Sequence, residues 1–144
     1  MKRLALFLIT ACLSAGAMAA DVIKAERMEK FGDVTVHYNT FNSTFLQPDI
    51  AQAAELIRSK NQGVINVSVI KDGKPLMAQV SGSVKDLTSS SVALNFKQVI
   101  EQGAIYYIAQ YPVPQQETRT FQIKVQTGDN INTINFNQEL FPGE

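Results

Sequence analysis

The sequence predicts an all-β, mainly antiparallel fold: an immunoglobulin-like β-sandwich of seven or eight strands with one short helix near residues 48–56. Three observations predict it. Apolar and polar residues alternate with a period of two in most segments, turn residues separate these segments, and only one stretch has helical spacing. A small β-barrel is the alternative fold, because barrels are built from similar short strands and turns.

The first half of the domain contains three predicted strands. An early strand runs from about Val22 to Phe31, and Gly32-Asp33 forms the turn after it. Successive strand side chains point to opposite faces, so alternate apolar residues mark a buried face. The next two strands carry such residues at Val34, Val36 and Tyr38 and at Ile65, Val67 and Val69.

One segment between these strands has helical rather than strand spacing. Apolar residues recur there at Ile50, Ala53, Ala54 and Ile57. Pro48 suits the first turn of a helix, and Asp49 complements the positive N-terminal end of a helix. We therefore expect about two helical turns that cross between the two sheets.

The second half returns to strands separated by tight turns. Lys71-Asp72-Gly73-Lys74 places Asp-Gly between two alternating segments, which is typical of a hairpin, and Gly128-Asp129-Asn130 has the same role later. The alternating residues of this half are Leu76, Ala78 and Val80; Val92, Leu94 and Phe96; Phe121, Ile123 and Val125; and Asn132, Ile134 and Phe136. These segments complete the predicted sandwich.

Two segments of the second half do not alternate. Ile105–Ala109 is apolar on both sides, as expected for a central strand that is covered on both faces. Tyr111-Pro112-Val113-Pro114 is predicted to be a loop, because prolines cannot donate to the hydrogen-bond ladder of a central strand.

The N-terminal residues predict export from the cytoplasm. Met1-Lys2-Arg3 is basic, Leu4–Leu13 is apolar but too short to span a bilayer, and Ala17-Met18-Ala19 supplies small residues for a signal peptidase. We interpret residues 1–19 as a signal peptide cleaved near Ala19/Ala20, and residues 20–144 as one domain. The predicted location is the Gram-negative periplasm.

The single cysteine permits a different interpretation of the leader. Cys12 follows Ile9-Thr10-Ala11, which fits the small-residue pattern before a lipid-modified cysteine, so a lipoprotein anchored through Cys12 is the alternative. If cleavage occurs near Ala19/Ala20 instead, the mature chain has no thiol and forms no disulfide. A secreted domain without disulfides is more typical of a bacterial periplasm than of small animal secreted proteins.

Charge and hydropathy exclude two classes of partner as defaults. Removing Lys2 and Arg3 lowers the basic count from 13 to 11 against 13 acidic residues, a net charge of about −2. This charge argues against nucleic acid as a partner. The mature sequence also has no apolar run of the roughly 20 residues that a transmembrane helix needs.

Several stretches of the mature chain resemble a known family. The most specific are Val36-His37-Tyr38-Asn39, the Thr-x-Leu-x-Pro turn at Thr44-Phe45-Leu46-Gln47-Pro48, and Ala104-Ile105-Tyr106-Tyr107-Ile108-Ala109. Together they resemble the bacterial exported family called domain of unknown function 4426, over essentially the whole mature chain. The resemblance implies an exported, β-rich proteobacterial domain, and it implies no activity and no site residues.

The residue inventory favours a protein that is not an enzyme. Nucleophilic catalysis needs a Ser or Cys beside a base, yet the mature chain has one histidine, no cysteine and no G-x-S-x-G motif. A lone His37 cannot form a zinc site, and no calcium or phosphate loop is present, so we predict no metal and no cofactor. A hydrolase that uses carboxylates brought together by the fold is a further alternative.

The function predicted from sequence is binding of another cell-envelope protein. We expect contacts from His37, Asn39, Tyr107 and Tyr111, with affinity supplied by main-chain hydrogen bonds at a sheet edge. Each has a structural alternative: His37 as a half-exposed strand residue, and one of the adjacent Tyr106 and Tyr107 as a core residue. Binding of a small molecule or glycan is the alternative function. The sequence does not define the oligomeric state.

Overall fold

The computed structural model describes residues 27–143, which form ten strands, one short α-helix and one 3-10 turn. The elements in chain order are β1 (Arg27–Phe31), β2 (Val34–Asn42), the 3-10 turn (Ser43–Phe45), α1 (Pro48–Ala53), β3 (Gln62–Lys71), β4 (Lys74–Pro75), β5 (Gln79–Lys85), β6 (Ser91–Leu94), β7 (Lys97–Glu101), β8 (Ala104–Pro112), β9 (Glu117–Thr127) and β10 (Asn130–Leu140). The predicted signal peptide, Cys12 and the Val22–Glu26 part of the early strand lie outside the described residues.

The strands form two antiparallel sheets. The six-stranded sheet has the order β1-β2-β3-β8-β7, with β4 paired to the far end of β3. The four-stranded sheet has the order β10-β9-β5-β6. The sheets do not close into a barrel, so the predicted all-β sandwich is confirmed over the barrel alternative. The described chain has more strands than predicted because of the two-residue β4 and a division of one predicted strand.

The alternating residues of both sheets meet in one core. Val36, Ile65 and Val67 of the six-stranded sheet and Ile123 and Val125 of the four-stranded sheet are buried in it. Aromatic rings continue the core toward one end of the sandwich. The ring of Phe121 stacks on that of Phe136 at 4.9 Å and meets that of Tyr111 edge-on at 5.2 Å.

Two hairpin turns have the backbone that their sequences predict. Asp72 and Gly73 between β3 and β4 have φ of 53° and 74°, the positive pair that a type I′ turn requires. Gly128 between β9 and β10 has φ of 61°. Asp and Gly adopt this left-handed region at little cost, so local sequence fixes these turns.

The predicted helix is present but its predicted course is wrong. Helix α1 ends at Ala53, and Glu55 two residues later has a left-handed φ of 57°, which stops helical propagation. The helix was predicted to cross between sheets. It lies instead between β2 and β3, which are neighbours in the six-stranded sheet, and it covers the outer face of that sheet.

Two further sequence predictions are corrected in the second half. The predicted Val92–Phe96 strand is divided, because β6 ends at Leu94 in the four-stranded sheet and β7 begins at Lys97 in the six-stranded sheet. The predicted 111–114 loop begins later, since Tyr111 and Pro112 belong to β8. A proline is tolerated there because β7 pairs with β8 only as far as Ile108, so Pro112 has no partner strand on that side among the described residues.

Candidate functional site

One flank of the sandwich is formed by two edge strands, β1 of one sheet and β10 of the other. Arg27 of β1 joins them. Its Nη2 donates to Gln138 Oε1 at 2.8 Å and to the Asn137 main-chain oxygen at 3.3 Å, and its guanidinium lies 4.7 Å from the centre of the Phe136 ring. The arginine divides this flank into an open strand edge on one side and a groove on the other.

The open edge belongs to β10, an eleven-residue strand that pairs only with β9 among the described residues. Its register with β9 is continuous from Asn130–Thr127 to Leu140–Glu117, so no bulge interrupts it. Its only ionisable side chain is that of Glu139. Edge strands are normally protected by lysine, proline or bulges, and this strand has none of them.

The direction of the unpaired main-chain groups follows from the contact of Arg27. The Asn137 carbonyl accepts from Arg27, so it points away from β9. Both main-chain groups of an antiparallel residue point to the same side, and the side alternates along the strand. The N–H and C=O groups of Asn135 and Thr133 therefore also point to the open side.

The groove lies beyond Arg27, at the end of the same flank, and we call it the end groove. β1 pairs with β2 only as far as Arg27–Tyr38, whereas β2 continues beside β3 as far as Asn42–Gly63. The main chain of Asn39–Asn42 thus has an unpaired edge among the described residues. Across from it run the end of β10 and residues 141–143, and the cavity between them measures about 840 Å³.

The walls of the end groove are mainly apolar. Tyr111, Val113 and Leu140 form a buried floor, and the exposed rings of Phe45 and Phe141 stand at the rim, 79% and 52% exposed. Large exposed aromatic side chains beside a cavity are typical of an interaction site. The groove is therefore suited to an apolar, extended occupant.

Tyr111 connects the groove floor to the main core. Its hydroxyl donates weakly to the Val64 carbonyl at 3.5 Å and has a side-chain hydrogen bond with Thr40 at the groove edge. Burial raises the pKa of this hydroxyl well above its usual range, and the hydrogen bond with Thr40 opposes the rise only in part. The hydroxyl is therefore a neutral, structural group at physiological pH.

The four residues predicted as contacts occupy three places. Asn39 and Tyr111 both line the end groove, so the structure brings together two residues far apart in sequence. Tyr111 does so from the floor, at 1% exposure, which leaves its ring as a wall of the sandwich rather than an exposed contact. Asn39 is half-buried at the unpaired edge of β2 and is the more accessible of the two.

His37 and Tyr107 lie outside the groove. His37 is half-buried in β2, opposite Met28 of β1 and Ser68 of β3. Tyr107 is 4% exposed, and its hydroxyl accepts from the Ala78 N–H at 2.9 Å. Tyr107 therefore matches the core alternative considered for the tyrosine pair, because its hydroxyl satisfies a backbone donor inside the sandwich.

Sequence reasoning missed the residues that define this flank. The sequence analysis predicted no site role for Phe45, Phe141 or Arg27. A signal for Phe45 existed, because it stands in the polar stretch that ends β2, where no strand or helix pattern requires an aromatic residue. No local signal marks Phe141 or Arg27, whose roles arise from strand order.

The structure also bears on metal binding and membrane insertion. Within residues 27–143, no three His, Cys, Asp or Glu side chains are grouped closely enough to hold a metal ion. In the same part of the chain, no helix has the length and apolar character to cross a bilayer.

Comparison with known proteins identifies the family of this chain. The family model for the domain of unknown function DUF4426 matches residues 28–143. The chain belongs to the DUF4426 family. A crystal structure of a DUF4426 family protein from Pseudomonas aeruginosa PAO1 is 52% identical, with a TM-score of 0.80, over 85% of this chain and 99% of that one. The resemblance recognised from sequence is confirmed.

More distant structures share only the fold. A copper-bound variant of FetP from uropathogenic Escherichia coli strain F11 has a TM-score of 0.63 at 7% identity, over 82% of this chain and 96% of that one. A structure of FetP as isolated, expressed in the periplasm of E. coli, has a TM-score of 0.58 at 6% identity, over 82% of this chain and 95% of that one. No curated protein matches this DUF4426 chain.

Proposed function

We propose that this DUF4426 domain is a non-catalytic binding protein of the Gram-negative periplasm that takes up an extended segment of another envelope protein as an added strand on β10. The observation that carries the proposal is the edge of β10, which has no strand partner beyond β9 among the described residues, has no bulge and carries Glu139 as its only ionisable side chain. The pattern of the first nineteen residues, basic, then apolar, then small, supports export.

The edge provides the chemistry that strand addition requires. Main-chain groups of Thr133 and Asn135 point to the open side, and each hydrogen bond made there contributes about 0.5–1.5 kcal/mol net. Alternate side chains of an added strand face outward beside Asn135 and Asn137 or inward beside Phe136. The main chain therefore supplies affinity and the alternate positions supply selectivity.

Proline substitution tests the edge without disturbing the pairing of β10 with β9. Thr133→Pro removes an N–H that points to the open side, a position where edge strands tolerate proline. Thr133→Ala is the matched control, because it changes the side chain and keeps the N–H. With a photo-crosslinking residue at Asn135 of the full chain in its native cells, we expect capture to fall about tenfold in Thr133→Pro and to stay unchanged in Thr133→Ala.

A second crosslinking position distinguishes the edge from the face of the same sheet. Gln122 lies directly beside Asn135 on β9 and is exposed, but β9 is a central strand that pairs with β10 on one side and β5 on the other. Strand addition would be contradicted if Gln122 and Asn135 captured the partner equally. It would also be contradicted if Thr133→Pro and Thr133→Ala showed equal capture and unchanged thermal stability. Crosslinking from His37 and Asn39 tests the contacts predicted from sequence.

A second candidate function is binding of a small uncharged molecule, favoured by a separate cavity. It measures about 430 Å³, lies between α1 and the outer face of the six-stranded sheet, and is lined by Ile50, Asn66 and Tyr106 among others. The buried Asn66 Oδ1 has no hydrogen-bond partner among the described residues. A thermal-shift panel of sugars and amino acids tests this candidate, since a ligand of the folded state must raise the Tm.

A further inference from the structure

The cavity on the outer face of the six-stranded sheet is elongated along β8. It measures about 430 Å³, and the outward residues of β8 that line it are Ala104, Tyr106 and Ile108. Because a strand rises about 3.4 Å per residue, the four steps from Ala104 to Ile108 cover roughly 14 Å. The two ends of one small molecule can therefore meet different side chains in this cavity.

One end of the cavity carries a negative charge. Glu101, the last residue of β7, pairs with Ala104 and lines the cavity. Glu101 is half-buried, and no described residue forms a salt bridge or side-chain hydrogen bond with it. No Lys, Arg or His is among the described residues that line the cavity. The Glu101 carboxylate therefore gives this end a negative potential, which a cleft with apolar walls strengthens.

The middle of the cavity adds to this negative potential. Asn66 of β3 pairs with Ile108, and its buried Oδ1 accepts no hydrogen bond from any described residue. A carbonyl oxygen without a donor keeps its partial negative charge uncompensated. Tyr106 lies between Asn66 and the charged end in the strand register, and the face of an aromatic ring attracts cations. Three groups therefore favour a positive charge in this half of the cavity.

The opposite end of the cavity is apolar. Phe41 of β2 lies at the level of Gln110 through the registers of β2, β3 and β8, which is beyond Ile108 and away from the charged end. Leu46 and Ile50 also line the cavity and pack in the same apolar cluster as Phe41. Covering such surface is favourable for an apolar group of a ligand.

We propose that this cavity binds a small amphipathic ammonium ion, with its charged group beside Glu101 and Tyr106 and its apolar group toward Phe41. The proposal concerns the cavity of the second candidate function, with a cation in place of an uncharged ligand, and it is independent of strand addition on β10. An uncharged ligand would desolvate the Glu101 carboxylate without a counter-charge. An ammonium ion supplies both the charge and N–H donors.

Two ligands that differ in charge and share a carbon skeleton test the proposal. 3-Phenylpropylamine carries an ammonium group at neutral pH, because alkyl amines titrate near about pH 10, and 3-phenylpropanol carries a hydroxyl group instead. In calorimetric titrations of the full mature protein at low ionic strength, we expect the amine to bind at least about tenfold more tightly than the alcohol. Equal binding would overturn the proposal and leave the second candidate function standing.

Glu101→Gln tests the source of this preference. The substitution keeps the shape of the side chain and removes its charge, so the amine should lose its advantage over the alcohol. Glu55→Gln is the matched control, because Glu55 pairs with Lys97 at 3.3 Å and is absent from the lining of the cavity. The preference should persist in Glu55→Gln, and its persistence in Glu101→Gln would contradict the proposal.

A substitution that fills the cavity tests the place of binding. Ala104→Leu adds bulk to a lining residue, so affinity for the amine should fall at least about tenfold. Ala93→Leu makes the same change at an exposed position of β6 and should leave the affinity unchanged. Thermal unfolding of both variants verifies that they are folded. Unchanged affinity in a folded Ala104→Leu variant, or binding of neither ligand by the parent protein, would overturn the proposal.

Discussion

The outer faces of the two sheets differ in how they are covered. On the six-stranded sheet, residues 43–60 lie across the outer face and form a second apolar cluster with it, in which Leu46, Ala51 and Ala54 meet Val64 and Ile108. On the four-stranded sheet, the outward side chains of β9 and β10 are uncovered, and most are uncharged amides and hydroxyls, with Lys124, Ile131 and Glu139 as the exceptions. One sheet is therefore buried on both faces and the other on one.

The difference explains two kinds of sequence pattern in the same fold. β8 is apolar on both sides at Ile105–Ala109 because both of its faces are packed, whereas β9 alternates strictly because only one is. Outward residues of the four-stranded sheet are exposed, so packing constrains them less than it constrains those of the covered sheet. Substitutions should therefore have very different effects on the two outer faces.

The largest difference is expected from truncation of an outward side chain on each sheet. Ile108 is 2% exposed beneath the 43–60 segment, so Ile108→Ala should lower the free energy of unfolding by about 2–5 kcal/mol. Gln122→Ala on the uncovered face should change it by less than about 0.5 kcal/mol. Urea unfolding of both variants measures this, and similar losses would show that the two faces are not differently packed.

A smaller loss is expected from the hydrogen bonds that fix the covering segment. Ser43 Oγ donates to the Ser59 carbonyl at 2.7 Å and accepts from the Ser59 N–H at 2.8 Å, and Ser43 is fully buried. Ser43→Ala removes the acceptor of the Ser59 N–H, at a cost of about 1–3 kcal/mol, while the Ser59 carbonyl still accepts from the Gln62 N–H at 3.0 Å.

Thr120 provides the control for this substitution. Its hydroxyl donates to Asn137 Oδ1 at 2.8 Å, but on the exposed face of the four-stranded sheet. Thr120→Ala should therefore cost less than Ser43→Ala, because water replaces the lost partner. A larger loss in Thr120→Ala, measured by the same urea unfolding, would contradict the assignment of Ser43 as the fixing contact.

The smallest expected effect is a loss of stability at alkaline pH. It arises in the six-stranded sheet, because β2 and β8 contain all four tyrosines. Burial raises the pKa of Tyr111, and burial followed by the charge of Glu29 raises that of Tyr38. Above the ordinary tyrosine pKa of about 10, the unfolded chain loses a proton that the folded chain retains. Stability is therefore full below pH 10 and falls as the pH rises further.

Tyr111→Phe tests this dependence. Removing the hydroxyl should reduce the fall in urea midpoint between pH 9 and pH 11, and Tyr38 should account for what remains. Tyr38→Phe, at the other tyrosine whose pKa burial raises, should reduce the fall further when it is combined with Tyr111→Phe. An identical fall in the parent protein and in Tyr111→Phe would exclude Tyr111 as its source.

Local pattern predicts the strands of this fold well and strand order poorly. The alternation of Val34–Tyr38 and of Phe121–Val125 identifies the buried faces correctly, and Asp72-Gly73 identifies its turn. The alternation also runs unbroken through Leu94 and Phe96, although the chain changes sheets between them. Both side chains pack into the same central core, so the alternation does not indicate that the chain moves from one sheet to the other.

The candidate site depends on strand order, which the local sequence pattern does not encode. The end groove brings Asn39 of β2 beside Leu140 and Phe141 near the C-terminus, and the edge of β10 is open because β9 is its only strand partner within residues 27–143. Tyr111 was predicted as a contact because prolines follow it in sequence, whereas the structure buries it in the groove floor. How deeply a residue is buried depends on which strand lies across from it.

The interleaved strand order affects how the chain acquires its structure as it leaves the ribosome. The six-stranded sheet needs only residues up to Pro112, but β5 and β6 find their partner β9 later, and β10 is last. Until then the apolar inner face of the first sheet has nothing to cover it. Long-range pairings of this kind form slowly, so the final quarter of the polypeptide sets the moment at which the whole domain becomes resistant to proteases and aggregation.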